Sequence, residues 1–250
     1  MTRRKWYSCL LLAFFSANSP AEQVIVAVAA NFNAAMNRLI PAFSEVTGYQ
    51  AVAGFGSTGK LYAQITQGAP YQVFLSADNS RTRLTVEAGV AVPGTEIVYA
   101  IGRLALWSAN EELVNDSADI LTSGSVRKIA LANPKTAPYG TAAQATLISL
   151  GLYDQLAGKL VQAEIVAQAF QFTATGNANV GFVALSQLKS GSRGGSFWLV
   201  ADDLYPPLLQ EAVLLNRGKD SGAAKAFMTF LNSAVAKAII AEMGYKLPGG

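Results

Sequence analysis

Residues Gly54 to Lys60 read Gly-Phe-Gly-Ser-Thr-Gly-Lys, a stretch that could do chemistry in more than one way. It is close to a phosphate-binding loop, in which backbone N–H groups cradle phosphate and a Ser or Thr after the lysine holds magnesium. Leu61 occupies that magnesium position, and no carboxylate stands out as a partner, so nucleotide hydrolysis is rejected. Ser57 and Lys60 also match the Ser-x-x-Lys of serine acyl-transferases, with Ser108-Ala109-Asn110 and Lys135-Thr136-Ala137 downstream in the expected order. A pattern that loose arises by chance about once in a chain of this length. The last triplet lacks the glycine of Lys-Thr-Gly, and Pro134 and Pro138 flank it, where that chemistry needs a strand. An acyl-serine hydrolase on Ser57 and Lys60 is kept as the alternative from another class. What survives is a strand feeding a glycine turn and a helix start, where free N–H groups suit an anion.

Composition narrows the chemistry further. The 250 residues contain no histidine and one cysteine, which excludes Ser-His-Asp and Cys-His machinery and any imidazole metal site. Asp202-Asp203 could hold a hard cation, but paired acids on a loop are ordinarily solvated surface. Charged residues make up 14%, well below the roughly 25% of ordinary domains. A formal charge of +3 over this length is too weak to suggest a nucleic-acid partner, which needs basic residues clustered on one face.

That charge has a local origin. Arg3, Arg4 and Lys5 precede the apolar run Trp6 to Phe15 and the small residues Ser16 to Ala21, the order of a secretory signal. Cleavage between Ala21 and Glu22 is expected, since about ten apolar residues are too few for a membrane span of roughly twenty. Residues 1–21 contain no acid, so removing their three basic residues from nineteen leaves sixteen against sixteen. Cys9 leaves with them. The exported chain is then formally neutral and cysteine-free, and a periplasmic location is expected.

These candidate residues need elements to position them. Val24 to Ala30 is a continuous apolar run, the pattern of a strand buried on both faces. Met36, Leu39, Ile40 and Phe43 then recur at helical spacing, with Asn31 and Asn33 as expected caps and Gly48 as the stop. The unit repeats as strand 51–55, turn 56–59 and helix 61–67, then a short strand 73–75 and a helix 81–88. Ile97 to Trp107 is longer and could cross between two lobes. A second set follows: strand 128–132, turn 138–140, helix 141–150, a strand ending near Val166, and strand 180–185. Ala212 to Leu215 reads as the return strand before two C-terminal helices. Alternating strand and helix predicts an α/β fold with a parallel sheet in each lobe. The lobes are placed at residues 22–102 plus 211–250, and 103–210. Asn31, Ser57-Thr58, Tyr139-Gly140 and Val166-Ala167 each lie where a strand gives way to a helix. In open α/β sheets those carboxyl ends face the ligand crevice, so several helix starts could aim neutral donors at one anion.

The same stretches resemble periplasmic molybdate-binding proteins. The resemblance is carried by Val26-Ala27-Val28-Ala29-Ala30-Asn31-Phe32, by Phe55-Gly56-Ser57-Thr58-Gly59-Lys60-Leu61, and by Gly68-Ala69-Pro70 with Phe74 to Asp78. It resumes at Leu131 to Pro134, at Pro138-Tyr139-Gly140, at Gly176 to Leu185, and through Ala224 to Gly244-Tyr245. It implies a type II periplasmic binding protein, with two α/β lobes of mostly parallel sheet flanked by helices and an oxyanion held between them. It also implies a non-enzyme that serves a membrane permease of the ABC importer class and needs no cofactor. The implied donors to molybdate or tungstate are Asn31, Ser57, Thr58, Tyr139 and the Val166 backbone N–H, with no side chain coordinating the metal directly. Two positions depart from the family. Ala184 stands where some members donate a tyrosine hydroxyl, so Tyr139 would supply the phenol, and Gln72 replaces an acidic residue before the third strand. A monomer is expected. A receptor for sulfate, phosphate or ferric iron on the same architecture is the nearer alternative.

Overall fold

The computed structural model describes residues 22–191 and 194–249; the export-signal reading of residues 1–21 lies outside them. The first strand β1 (Gln23–Ala29) runs into a 3-10 turn, Ala30–Phe32, and then α1 (Asn33–Thr47). Neither expected asparagine caps α1. Asn33 is already helical, and no side chain caps the start; its Oδ1 instead accepts from the Asn37 amide at 2.9 Å. Gly48 does end the helix, with φ at 76° in the left-handed region that glycine tolerates. Next come β2 (Gln50–Gly56), α2 (Thr58–Thr66), β3 (Val73–Ser76) and α3 (Asn79–Glu87). Helix α2 starts three residues before the position that apolar spacing indicates, because the Ser57 hydroxyl caps it by accepting from the Lys60 N–H.

The long apolar run after α3 is two strands in different sheets. β4 (Ile97–Gly102) stays with the first sheet, and β5 (Leu104–Ser108) opens the second, with Arg103 between them. The second set continues as β6 (Ile129–Ala132), α4 (Pro138–Ser149), α5 (Tyr153–Leu156), β7 (Leu160–Ala163), α6 (Val166–Ala174), β8 (Val180–Ala184), α7 (Leu185–Lys189) and β9 (Ser196–Leu199). Val166 thus opens a helix instead of ending a strand. The chain returns in β10 (Leu208–Leu214), which begins four residues before the expected Ala212, and ends in α8 (Gly222–Leu231) and α9 (Ala234–Glu242).

The two sheets have matching order, β2-β1-β3-β10-β4 and β7-β6-β8-β5-β9. In each, the three strands of the βα units pair in parallel, and the two strands next to the crossings pair antiparallel. Each sheet has its own apolar core. Val26, Val28, Phe43 and Phe227 belong to the first, and Leu104, Leu131, Leu147 and Phe182 to the second. The C-terminal tail pairs Lys246 with Ile101, which carries Tyr245 under the 3-10 turn that follows β1. Phe32 packs edge-on against both Tyr99 and Tyr245, at 4.9 and 5.2 Å between ring centroids. Among the described residues, no single helix is long and apolar enough to cross a membrane.

Candidate functional site

The carboxyl ends of the parallel strands deliver several chain turns to one point. Ala29, Ala30 and Asn31 after β1, Ser57 and Thr58 after β2, and Ala77 after β3 come from the first sheet. Ala137, Pro138 and Tyr139 after β6, and Ile165 and Val166 after β7, come from the second. Together they line one small cavity. All five residues singled out in the sequence are therefore brought together, and no charged side chain is among the lining. Asn31, Ser57, Thr58, Tyr139 and Val166 are each less than 5% exposed.

Three helices begin on this cavity. Thr58 is the first residue of α2, Val166 the first of α6, and Tyr139 the second of α4 behind Pro138. N–H groups of a first turn have no intrahelical acceptor, and the aligned peptide dipoles add partial positive charge there. Pro138 suits its place because its missing N–H would be unpartnered in any case. Gly140 lets α4 descend onto β6: a β-carbon there would collide with the Ala132 carbonyl.

The two hydroxyls have each accepted one backbone proton and keep their own. Ser57 Oγ accepts from the Lys60 N–H at 3.4 Å, and Thr58 Oγ1 accepts from the Ala77 N–H at 3.1 Å. Each can still donate into the cavity. The Tyr139 hydroxyl is buried and without a hydrogen-bond partner. A β-carbon on Gly102 would collide with it, so the phenol reaches from the second half to the crossing strand of the first. Burial pushes the Tyr139 hydroxyl well above its ordinary pKa, and the neighbouring Tyr245, Tyr205 and Tyr99 add to the shift. The group therefore stays a neutral donor.

The Asn31 side-chain amide is spent inside the protein, donating to Gln210 Oε1 at 2.7 Å and to the Tyr245 hydroxyl at 3.1 Å. Its backbone N–H is the donor left for the cavity. Ala184 is fully buried at the end of β8 and is not part of the lining. Gln72 accepts from the Ile25 N–H at 2.9 Å through its side-chain oxygen, so a neutral amide fills the acceptor position that an acid could hold. Gln210, Ser186 and Tyr245 gather behind Asn31 and were missed in the sequence, although Gly244-Tyr245 was itself part of the resemblance.

The other candidate chemistries are not assembled. The Lys60 ammonium pairs with Glu164 at 2.9 Å, while Ser57 serves as a helix cap. Asp202 pairs with Lys246, and among the described residues no three His, Cys, Asp or Glu side chains form a metal-binding group.

The model of the bacterial extracellular solute-binding protein family matches residues 24–246. The molybdate-binding protein ModA of Rhodobacter capsulatus is 48% identical over 225 residues, 90% of this chain and 88% of the relative. ModA of Azotobacter vinelandii is 45% identical over 229 residues, 91% of each chain. A solved periplasmic molybdate-binding protein of Azotobacter vinelandii superimposes with a TM-score of 0.86 at 40% identity, covering 90% of this chain and 99% of the other. Matched along nearly all its described length, the chain belongs to the family of bacterial extracellular solute-binding proteins.

Proposed function

We propose that this protein is a receptor that holds molybdate, and tungstate of nearly equal size, as a dianion between its two halves. It delivers the ion from the periplasm to the permease of an ABC importer, acting as a monomer and without a cofactor. The observation that carries this reading is the cavity itself: three helix starts meet on it, with Ser57, Thr58 and Tyr139 in its lining and not one charged side chain. The donors are the hydroxyls of Ser57, Thr58 and Tyr139 and the backbone N–H groups of Asn31, Thr58, Tyr139 and Val166.

Such a site fits an ion that offers only acceptors. A buried dianion is costly unless each oxygen receives hydrogen bonds, and charge-assisted bonds contribute about 1.5–3 kcal/mol each. The Ser57 and Thr58 oxygens already accept backbone protons, which makes them poor acceptors for an oxyanion that still carries a proton. Phosphate is disfavoured on that ground, and ferric iron because no carboxylate lines the cavity. The experiment is a thermal-shift series with molybdate, tungstate, sulfate, phosphate and ferric ion. Molybdate and tungstate are expected to raise Tm the most, because a ligand that binds only the folded state stabilises it. A larger shift with phosphate or ferric ion would contradict the reading.

A further inference from the structure

We propose that Ser186 is a positioning residue for this oxyanion site, acting through Asn31 and only while the two halves are together. The inference rests on the receptor reading and adds a residue that touches no ligand.

Ser186 lies in α7, in the second half. Its hydroxyl donates to the Asn31 carbonyl at 2.9 Å and lies 3.1 Å from the Tyr245 hydroxyl. The Tyr245 hydroxyl is 2.9 Å from the same carbonyl and accepts from the Asn31 amide. The remaining proton of that amide goes to Gln210, whose own amide is anchored on the Leu208 carbonyl at 2.9 Å. Asn31, Ser186, Gln210 and Tyr245 are all at least 95% buried and uncharged. Asn31 is thus held by its side chain and by its carbonyl at the edge of the cavity that it lines.

Three of the four residues belong to the first half. Gln210 is in β10, Asn31 follows β1, and Tyr245 sits in the tail that pairs with β4. Ser186 alone comes from the other half, 155 residues from Asn31. If the halves part to release the ion, the bonds among Asn31, Gln210 and Tyr245 stay and the Ser186 bond is lost. A buried neutral bond of this kind outweighs the exposed Lys60–Glu164 pair as a link between the halves.

The test uses the mature protein with molybdate as the probe. Ser186→Ala is expected to weaken binding about 5- to 10-fold, with the change in the dissociation rate and the ligand-free Tm unmoved. Tyr245→Phe, which cuts a bond within the first half, is expected to lower the ligand-free Tm as well. Wild-type affinity and dissociation rate in Ser186→Ala, while the wild type binds molybdate, would overturn this inference alone. So would an equal loss of Tm with and without ligand, which marks a merely structural role. Absence of molybdate binding by the wild type would overturn the receptor reading, and this inference with it.

Discussion

The Gly59 N–H donates to the Thr136 carbonyl at 2.9 Å, joining α2 of the first half to the loop before α4 of the second. Both residues adjoin the cavity lining. The approach is tight: a β-carbon at 59 would lie 3.2 Å from the Thr136 α-carbon and oxygen, so the Thr136 loop would have to give by a few tenths of an ångström. Gly59 is also the second residue of α2, where alanine is the better helix former by about 0.5–1 kcal/mol. Gly59→Ala is therefore expected to leave the ligand-free Tm unchanged or slightly raised while weakening molybdate roughly 10-fold. Paired thermal melts and calorimetry check it, and a parallel loss of both would show that the contact matters for folding instead.

Tyr139→Phe separates binding from stability in the same way. The hydroxyl is buried and unpartnered, a state that costs about 1–3 kcal/mol. Removing it should leave the ligand-free protein as stable or more so. Molybdate affinity should fall about 10-fold, because one donor to the dianion is gone. Thr58→Ala removes both a donor and the acceptor for the Ala77 N–H, so it should lower affinity roughly 10- to 100-fold and lower Tm as well. Asn31→Ala should act by freeing the 3-10 turn, with a fall in Tm accompanying a similar loss of affinity.

Lys60 should matter little despite its place in the most conspicuous motif. Its ion pair with Glu164 is exposed at both ends, 56% and 62%, and such pairs contribute about 0–1 kcal/mol. Lys60→Ala is expected to weaken molybdate by less than about 5-fold, with the difference shrinking as salt is raised. A total loss of binding would mean that the ammonium contacts the ion.

The buried phenols set the pH behaviour. Burial raises the pKa of Tyr99, Tyr139 and Tyr245 above the ordinary value of 10.0. Each holds its proton more tightly folded than unfolded, so its contribution is whole below that value and is lost as pH climbs above it. Urea unfolding should show stability falling between about pH 9 and pH 11, less steeply in Tyr139→Phe. Molybdate affinity should stay level from about pH 6 to pH 9, because no lining side chain titrates there.

Where physics is local, it was legible. The apolar run of β1 and the three- and four-residue spacing in α1 mark themselves, and so do the turns carrying Ser57, Thr58, Tyr139 and Val166. The start of α2 was hidden because Ser57 and Gly59 read as turn residues until the Ser57 cap is seen. The antiparallel strands β5, β9 and β10 pair with partners distant in sequence, and nothing in their composition distinguishes them from parallel ones. Least visible was the group behind Asn31. Its members lie 155, 179 and 214 residues away, and a lone Ser, Gln or Tyr has no local pattern that announces a buried network.

Titration calorimetry of the protein with molybdate, with sulfate and phosphate run alongside, decides whether the cavity is a molybdate site. One saturable site per chain is expected, occupied tightly by molybdate, far more weakly by phosphate, and weakened in Tyr139→Phe. Absence of heat with molybdate, or tighter binding of phosphate, would contradict a site built from neutral donors for an unprotonated dianion.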